Sequence, residues 1–224
     1  MLQGISAVAF DLDGTLYPNY RLYIRLLPFL CRHWRLVSAL GKARDIIRRE
    51  QEQSPSVTQP DFYNYQAQIA AKLLSAQPEQ IREKFDSLIY RGWERHFLKI
   101  KLFPHVRELL AELRTTQLKL GLLSDFPPET KLKNLGLADC WDAVLCSENT
   151  GALKPAIQPF RELGNILGCP PERILYVGNS RPYDTAGARR AGMKTALLAG
   201  RFAAKLEADF IFHDYRQLRD FVLH

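Results

Sequence analysis

Two carboxylates follow the first apolar run of the sequence and are separated by a single residue. The run covers residues 5–10, Asp11 ends it, and Asp13 lies two positions further on. Side chains of an extended chain alternate in direction, so Asp11 and Asp13 are expected to face the same crevice. One carboxylate can attack an electrophile while the other moves protons. This spacing is typical of an aspartyl nucleophile with a neighbouring acid and base.

Four further residues suit the binding of a phosphate group. Gly14 permits a tight turn beside a ligand, and Thr15 offers a hydroxyl and a backbone N–H to a phosphate oxygen. Ser124 ends the apolar run 118–123, where its hydroxyl would hold a second oxygen, although the same residues also make an ordinary turn. Lys154 would neutralise the nucleophile and the phosphoryl group, and a solvated lysine is the simpler alternative.

A third apolar run, residues 174–177, is followed by oxygen donors. Asn179 lies at its end, and Asp184 comes four residues after Ser180, just inside an expected helix. Mg²⁺ prefers oxygen ligands and takes few carboxylates, which Asp11, the Asp13 carbonyl and this loop would supply. Asp184 also suits a purely structural role as a carboxylate at a helix start.

Apolar runs alternate with helical patterns from residue 102 onward. Six runs have the length and composition of buried strands, namely residues 5–10, 118–123, 143–146, 174–177, 195–198 and 210–212. Short apolar strands joined by helices predict a parallel sheet with helices on both faces, an α/β fold. Ligands of such sheets bind at the carboxyl ends of the strands, where each motif above is placed.

Residues 20–100 depart from this alternation and predict only helices. The expected helices cover residues 20–53, with a break at Pro28 or Gly41, then 61–75 and 78–97, with a loop over 53–60. Asp61 and Pro78 suit a helix cap and a first-turn position. We therefore predict a helical insert, with hinges near residues 16–19 and 100–104, that acts as a lid.

Composition excludes several classes of protein. The 224 residues are 46% apolar, enough for a full core, and no segment has the roughly 18 uncharged apolar residues of a membrane span. Residues 1–10 lack the basic start of a secretory signal. The four cysteines form neither a Cys-x-x-Cys pair nor a zinc spacing, so we expect reduced thiols and a cytoplasmic protein.

The net charge of +7 is concentrated in the helical insert. Residues 17–99 hold fourteen Lys or Arg against eight Asp or Glu, a net charge of +6. Such a surface would attract an anionic substrate, and a solvated helical face explains it equally well.

The ordered set of motifs resembles the four motifs of the haloacid dehalogenase superfamily. These are Asp11-x-Asp13-Gly14-Thr15, Ser124, Lys154-Pro155 and Gly178-Asn179-Ser180-x3-Asp184. The insert lies where members with a helical C1-type cap carry theirs. The resemblance implies a Rossmann-like, doubly wound parallel sheet over residues 1–16 and 104–224, with an all-helical cap domain, hinges included, over 17–103.

The same resemblance implies a role for each site residue. Asp11 would be the nucleophile that forms an aspartyl-phosphate, with Asp13 as general acid and then base, and Lys154 as the third catalytic residue. Thr15, Ser124 and Lys154 would bind phosphate. Mg²⁺ would be the cofactor, with Asp11, Asp13, Asn179 and Asp184 at the metal.

Two residues refine this expectation. The family most often has Asp where this chain has Asn179, and since an amide brings no charge, we expect weaker metal binding without loss of activity. Departure of an alkoxide from phosphate needs a proton, which Asp13 can give, whereas departure of a halide needs none. Dehalogenases of the family lack this acid, so a phosphomonoester hydrolase is favoured.

Three alternatives stay open. A phosphomutase uses the same residues, and a haloacid dehalogenase-type hydrolase shares the scaffold. A non-catalytic protein would instead dock the helix at residues 20–34, basic and apolar, on anionic lipid or nucleic acid. We favour the enzyme because the apolar face of that helix is expected to cover a core. The predicted partner is a small phosphorylated metabolite, with no nucleic acid and no membrane span; the sequence specifies neither the substrate nor the oligomeric state.

Overall fold

A computed structural model describes residues 4–55, 58–98, 100–200 and 207–224. Six strands of these ranges form one sheet: β1 (Ala7–Phe10), β2 (Lys119–Ser124), β3 (Ala143–Cys146), β4 (Ile174–Gly178), β5 (Lys194–Leu198) and β6 (Phe210–Phe212). The strand order is β3-β2-β1-β4-β5-β6, and every pairing is parallel. The predicted strands and the α/β parallel sheet are confirmed.

Nine α-helices connect or flank these strands within the described ranges. They are α1 (Asn19–Arg32), α2 (Trp34–Gln53), α3 (Phe62–Leu74), α4 (Pro78–Lys84), α5 (Val106–Arg114), α6 (Glu129–Leu135), α7 (Ile157–Leu167), α8 (Ala186–Arg190) and α9 (Tyr215–Leu223). The first four come between β1 and β2, followed by a π-helical turn (Phe85–Tyr90) and a 3-10 turn (Glu94–Phe97). We call this stretch, from α1 through the 3-10 turn, the helical insert.

The sheet is covered on both faces because its side chains alternate. Val8 and Phe10 of β1 join a cluster with apolar residues of α5, α6 and α9. Ala7 and Ala9 of the same strand face a second cluster, with residues of α7 and α8. Strands β1, β2 and β4 are therefore buried on both sides, as the continuous apolar runs predict, whereas Val144 of β3 and Ile211 of β6, on the two edge strands, are more than a third exposed.

The register of the sheet brings three motifs to one edge. Phe10 of β1 is paired with Leu122 of β2 and Val177 of β4, so the three strands end nearly level. Asp11, Ser124 and Asn179 therefore emerge at the carboxyl edge of the sheet, on its central strands.

The helical insert has an apolar cluster of its own, formed by α2, α3, α4 and the π-helical turn. Helix α1 is different, since Leu22 and Leu26 bury their side chains in the cluster of the sheet. Asp61 caps α3 by accepting from the Asn64 N–H, and Pro78 begins α4, as predicted. The boundaries 1–16, 17–103 and 104–224 stay a prediction, and residues 56 and 57 of the predicted 53–60 loop lie outside the described ranges.

Two predicted helix boundaries are wrong. The break in the first helix falls at His33, whereas Pro28 lies inside α1 and Gly41 inside α2. A glycine costs only about 1 kcal/mol in a helix, which burial of the apolar face of α2 outweighs. Helix α1 is held on the sheet by Leu22 and Leu26, which both precede Pro28. The helix predicted over 78–97 divides into α4 and the two tighter turns.

The expectation that the apolar face of α1 covers a core is correct only in part. Leu22 and Leu26 are buried, but Tyr20, Ile24 and Leu27 are more than half exposed. The helix therefore has one face on the sheet and a second apolar face in solvent.

The cysteines and the apolar character of the helices bear on two predictions made from composition. All four cysteines are free thiols in the structure, with Cys146 and Cys169 buried and Cys31 exposed. None of the helices in the described ranges has the length and apolar character needed to cross a membrane.

Candidate active site

The chain turns sharply where β1 ends. The Asp11 N–H donates to the Val177 carbonyl at 2.9 Å, which extends the sheet register by one residue. The Leu12 carbonyl then accepts from the Thr15 N–H at 3.3 Å, and Gly14 adopts a φ of +90°. Because L-residues rarely adopt this φ, the glycine permits the turn that returns Thr15 toward Asp11.

Lys154 joins two carboxylates from different strands. Its Nζ donates to Asp11 Oδ1 at 2.6 Å and to Asp184 Oδ1 at 2.7 Å. The Tyr176 hydroxyl lies 3.3 Å from the same nitrogen. All four side chains are buried, so the ammonium is a fixed positive charge beside the candidate nucleophile.

Thr15 connects Asp11 with the loop after β4. Its Oγ1 lies 2.6 Å from Asp11 Oδ2 and 3.2 Å from Asn179 Oδ1. The Tyr215 hydroxyl donates to the Thr15 backbone carbonyl, which fixes the turn from α9. A Cβ on Gly14 would collide with the Asn179 side chain, so the glycine is also needed for this close approach.

Asp184 organises the loop after β4. Its Oδ2 accepts from the backbone N–H groups of Asn179 at 3.1 Å and Ser180 at 2.9 Å, while its Oδ1 accepts from Lys154. Gly178 makes room for it, because a Cβ there would overlap the carboxyl group. Asp184 thus holds both the loop and the lysine.

The electrostatics of this cluster are set by burial. Burial, together with repulsion from Asp184, raises the pKa of Asp11 from 3.8 to about 7, although Lys154 and Thr15 act in the opposite direction. Burial pulls the pKa of the Lys154 ammonium down, but the carboxylates of Asp11 and Asp184 outweigh it, so that the pKa lies well above its ordinary value. Lys154 therefore stays charged, and burial favours the protonated form of Asp11 more than in an exposed aspartate.

Asp13 has a separate set of partners. Lys131 of α6 donates to its two carboxylate oxygens at 2.8 and 2.6 Å, and the Tyr17 hydroxyl donates to Oδ1. The Lys131 ammonium also lies 5.1 Å from the centre of the Phe97 ring, at the edge of the helical insert. Asp13 is thus directed toward the space between the sheet and the insert, away from Lys154.

Ser124 ends β2 as predicted, but its side chain is engaged in the following turn. Its Oγ accepts from the Phe126 N–H at 3.2 Å, and the residue is fully buried. The preceding carbonyl, that of Leu123, lies 3.5 Å from Lys154 Nζ, so Ser124 borders the cluster. Ser124 therefore takes part in an ordinary turn and also lies beside the cluster around Lys154.

Asp125 connects the site to the helical insert. Its Oδ1 accepts from the Lys154 N–H at 3.1 Å and from the Ser147 hydroxyl at 2.6 Å, and its Oδ2 accepts from Arg48 of α2 at 3.0 Å. Burial alone would raise the pKa of Asp125, but Lys154, Arg44 and Arg48 outweigh it and lower the pKa.

A second ion pair from α2 lies deeper in the same interface. Arg44 donates to Glu148, and both are buried; the Tyr90 hydroxyl donates to the same carboxylate at 2.8 Å. The Arg44 guanidinium also covers the Phe126 ring at 4.1 Å. Part of the positive charge of the insert therefore forms ion pairs with carboxylates outside the insert and is not exposed at the surface.

The buried cluster offers oxygen donors to a metal ion. In the ranges that the structure describes, no three side chains of histidine, cysteine, aspartate or glutamate converge as ligands. Asp11 and Asn179 do bring two oxygens to one hydroxyl, that of Thr15, with the Asp184 carboxylate on the same loop. Hard oxygens with few carboxylates fit Mg²⁺, which retains several waters.

The predicted residues fall into two groups. Hydrogen bonds join Asp11, Thr15, Lys154, Asn179 and Asp184 in one cluster. Asp13 and Ser124 border it with other partners.

Sequence reasoning missed several partners of these residues, namely Tyr17, Lys131, Asp125, Tyr176, and Arg44 and Arg48 of α2. The only signal for Asp125 was its place beside Ser124. Lys131, one of two lysines on α6, and Tyr176, within β4, have no distinguishing spacing.

Comparison with known proteins gives a consistent result. A family model described as haloacid dehalogenase-like hydrolase matches residues 5–192. A phosphoglycolate phosphatase of Salmonella typhi is 26% identical, over 97% of this chain and 92% of its own. A haloacid dehalogenase superfamily phosphatase from Thermococcus onnurineus is 25% identical with a TM-score of 0.66, over 98% of each chain. A 2-haloacid dehalogenase from Pseudomonas syringae has the same TM-score at 23% identity, over 97% of this chain and 98% of its own, a likeness of fold alone.

Proposed function

Because this chain belongs to the haloacid dehalogenase-like hydrolases, we propose that it is a Mg²⁺-dependent phosphatase of a small phosphorylated metabolite. The reaction is hydrolysis of a phosphomonoester through an aspartyl-phosphate on Asp11. The observation that carries the proposal is the buried cluster in which Lys154 holds Asp11 and Asp184, with Thr15 on the other oxygen of Asp11. The phosphatase relative supports the same reaction class.

The buried cluster supports a role for each residue in the first half of the reaction. Ionised Asp11 attacks phosphorus, and the ester oxygen leaves with a proton from Asp13. The Thr15 and Ser124 hydroxyls and the Lys154 ammonium receive the phosphoryl oxygens and offset their charge. Lys154 also reduces the repulsion between two anions, the nucleophile and the substrate.

The second half of the reaction reverses the role of Asp13. Asp13, now ionised, takes a proton from water as the water attacks the phosphoryl group on Asp11, and phosphate leaves. Lys131 and Tyr17 hold Asp13 in place for both steps. The helical insert, closed over the site as a cap, would exclude bulk water during the first step.

Mg²⁺ would be held by Asp11, the Asp13 carbonyl and Asn179, with Asp184 beside them. When bound, it supplies positive charge to the phosphoryl oxygens and aligns them for attack. Both Asp184 oxygens accept other hydrogen bonds, so this carboxylate acts first as the organiser of the loop and of Lys154. We also propose that the enzyme acts in the cytoplasm, where its thiols stay reduced.

The test is a phosphate-release screen over a panel of phosphorylated metabolites, with Mg²⁺ and with EDTA. Wild type should release phosphate only with Mg²⁺, Asp11→Asn should be inactive, and Asp139→Asn, a change of an exposed aspartate, should be fully active. Free phosphate as the product indicates a phosphatase, whereas an isomerised sugar phosphate indicates a mutase. Full activity of Asp11→Asn would overturn the proposal.

A further inference from the structure

A cavity of about 300 Å³ lies between the sheet and the helical insert, next to Asp13. Aromatic rings form much of its wall, with Tyr90 and Phe126 6.0 Å apart and Trp93 and Phe126 6.4 Å apart between ring centres. The alcohol part of the substrate must lie here, because Asp13 is the group that would protonate it. The volume equals about ten water molecules, and glycolate, with five non-hydrogen atoms, would leave more than half of it empty.

Two residues that line this cavity each have one buried polar atom without a hydrogen-bond partner among the described residues. These atoms are Trp93 Nε1, a donor, and Asn19 Oδ1, an acceptor. A buried polar group without a partner costs about 1–3 kcal/mol, so these two atoms mark positions where a ligand would gain hydrogen bonds.

The charges of the described lining oppose an anionic alcohol. The two cations are already paired, Lys131 with Asp13 at 2.6 Å and Arg91 with Asp86 at 2.5 Å. Two further carboxylates, those of Glu94 and Glu129, line the same space. The carboxylate of a leaving group such as glycolate would be repelled by these acidic side chains. Neither Lys131 nor Arg91 is free to form an ion pair with it, because both already pair with aspartates.

We propose, building on the phosphatase function, that the substrate is a monoester of a neutral, ring-bearing alcohol. The ring lies against Tyr90, Trp93 and Phe126, and polar atoms of the alcohol bond to Trp93 Nε1 and Asn19 Oδ1. A nucleoside 5′-monophosphate has this chemistry, with a flat ring and neutral hydroxyls.

The test compares kcat/KM for uridine 5′-monophosphate with that for phosphoglycolate. Wild type should favour the nucleotide by at least about tenfold. Trp93→Phe, which retains a ring but removes the N–H, should lose about tenfold on the nucleotide and less than about twofold on p-nitrophenyl phosphate. Trp141→Phe is the matched control, since Trp141 Nε1 is also buried without a partner but lies outside the cavity lining, against Phe10.

A preference for phosphoglycolate, or equal effects of the two tryptophan variants, would overturn the substrate class and leave the phosphatase proposal standing. Absence of Mg²⁺-dependent phosphate release from every ester would overturn both.

A different observation concerns the outer face of α1. Tyr20, Ile24 and Leu27, spaced as one helix face, are 58%, 67% and 57% exposed. From residue 14 to residue 44 the chain has six Lys or Arg and no Asp or Glu. Arg21, Ile24, Arg25 and Lys101 together line a shallow groove beside this face.

We infer that this face docks on an anionic phospholipid surface. Basic residues beside exposed aliphatic and aromatic side chains are the pattern of helices that lie in the membrane interface. A second copy of the chain would bring arginine against arginine, with no acid on the helix to pair them. A nucleic acid would pair with the arginines but offers no apolar layer for Ile24 and Leu27.

The experiment is sedimentation with vesicles of phosphatidylcholine, with and without phosphatidylserine, at low and high salt. Wild type should sediment only with the anionic vesicles, and salt should weaken binding. The double variant Ile24→Ser, Leu27→Ser should lower the affinity for anionic vesicles at least about tenfold. Its phosphatase activity and melting temperature should stay unchanged. Ile166→Ser is the matched control, because Ile166 is 50% exposed on α7.

No binding to anionic vesicles at low salt would overturn the inference. Unchanged vesicle binding by the double variant would also overturn it. So would a result in which the double variant loses dimerisation or RNA binding and not vesicle binding.

Discussion

Replacing Asp11 with asparagine removes a carboxylate whose ionisation the fold opposes. Burial and Asp184 raise the pKa of Asp11 from 3.8 to about 7, so the folded protein holds a proton there that the unfolded chain releases. The free energy of unfolding of wild type therefore falls as the pH rises from about 4 to 7. Asparagine stays neutral, so the variant escapes this loss.

The magnitude follows from the size of the pKa shift. Each unit is worth about 1.4 kcal/mol, so Asp11→Asn should exceed wild type by about 4 kcal/mol at pH 8 and by about 2 kcal/mol at pH 5. At pH 8 this corresponds to a rise in Tm of roughly 10 °C for a chain of this size. The proposed nucleophile is thus kept at the expense of stability, a trade-off typical of active sites.

The assay is urea or thermal unfolding in EDTA, at several pH values between 4 and 8, with Asp139→Asn as the control. Asp139 is exposed, so its variant should follow wild type at every pH. A stability difference between Asp11→Asn and wild type that stays constant or shrinks as the pH rises would refute the reasoning about burial.

Further predictions address the other residues of the site. Asp13→Asn should lower kcat about 10²- to 10⁴-fold on alkyl phosphates and much less on p-nitrophenyl phosphate, whose leaving group needs no proton, as steady-state kinetics would measure. Lys131→Met frees the Asp13 carboxylate from its cation, and kcat should fall about tenfold with KM nearly unchanged. Arg44→Met leaves Glu148 buried without its ion-pair partner, at a cost of about 3–5 kcal/mol in urea unfolding, part of which the added change Glu148→Gln should restore. Asn179→Asp should lower the Mg²⁺ concentration needed for half-maximal activity, and no tightening would contradict the role assigned to the amide.

The sheet and much of the cluster are predictable because their signals are local. Short apolar runs between helical patterns fix both the strands and their parallel pairing, and polar residues at strand ends must then share one edge. Asp11, Thr15, Lys154 and Asp184 come together for this reason, although they follow three different strands. The Thr15 hydroxyl follows β1 and the Lys154 ammonium follows β3, so the strand pattern alone predicts that both lie near the carboxylates.

The remainder depends on tertiary contacts that no local pattern encodes. Lys131 is one of two lysines on α6, and only the crossing of that helix past the turn after β1 brings it to Asp13. The outer face of α1 was expected to pack because its pattern is apolar, but the helix can bury only the side that holds Leu22 and Leu26. The break at His33 likewise reflects packing that overrides the preferences of Pro28 and Gly41.

The central claim is that Asp11 becomes phosphorylated during turnover. Acid quenching of the enzyme with substrate and Mg²⁺, followed by mass spectrometry of the proteolytic peptides, measures this directly. The peptide with Asp11 should gain the mass of one phosphoryl group, and Asp11→Asn should gain none. A quenched enzyme that turns substrate over but carries no phosphoryl group on that peptide, or carries it elsewhere, would contradict the account.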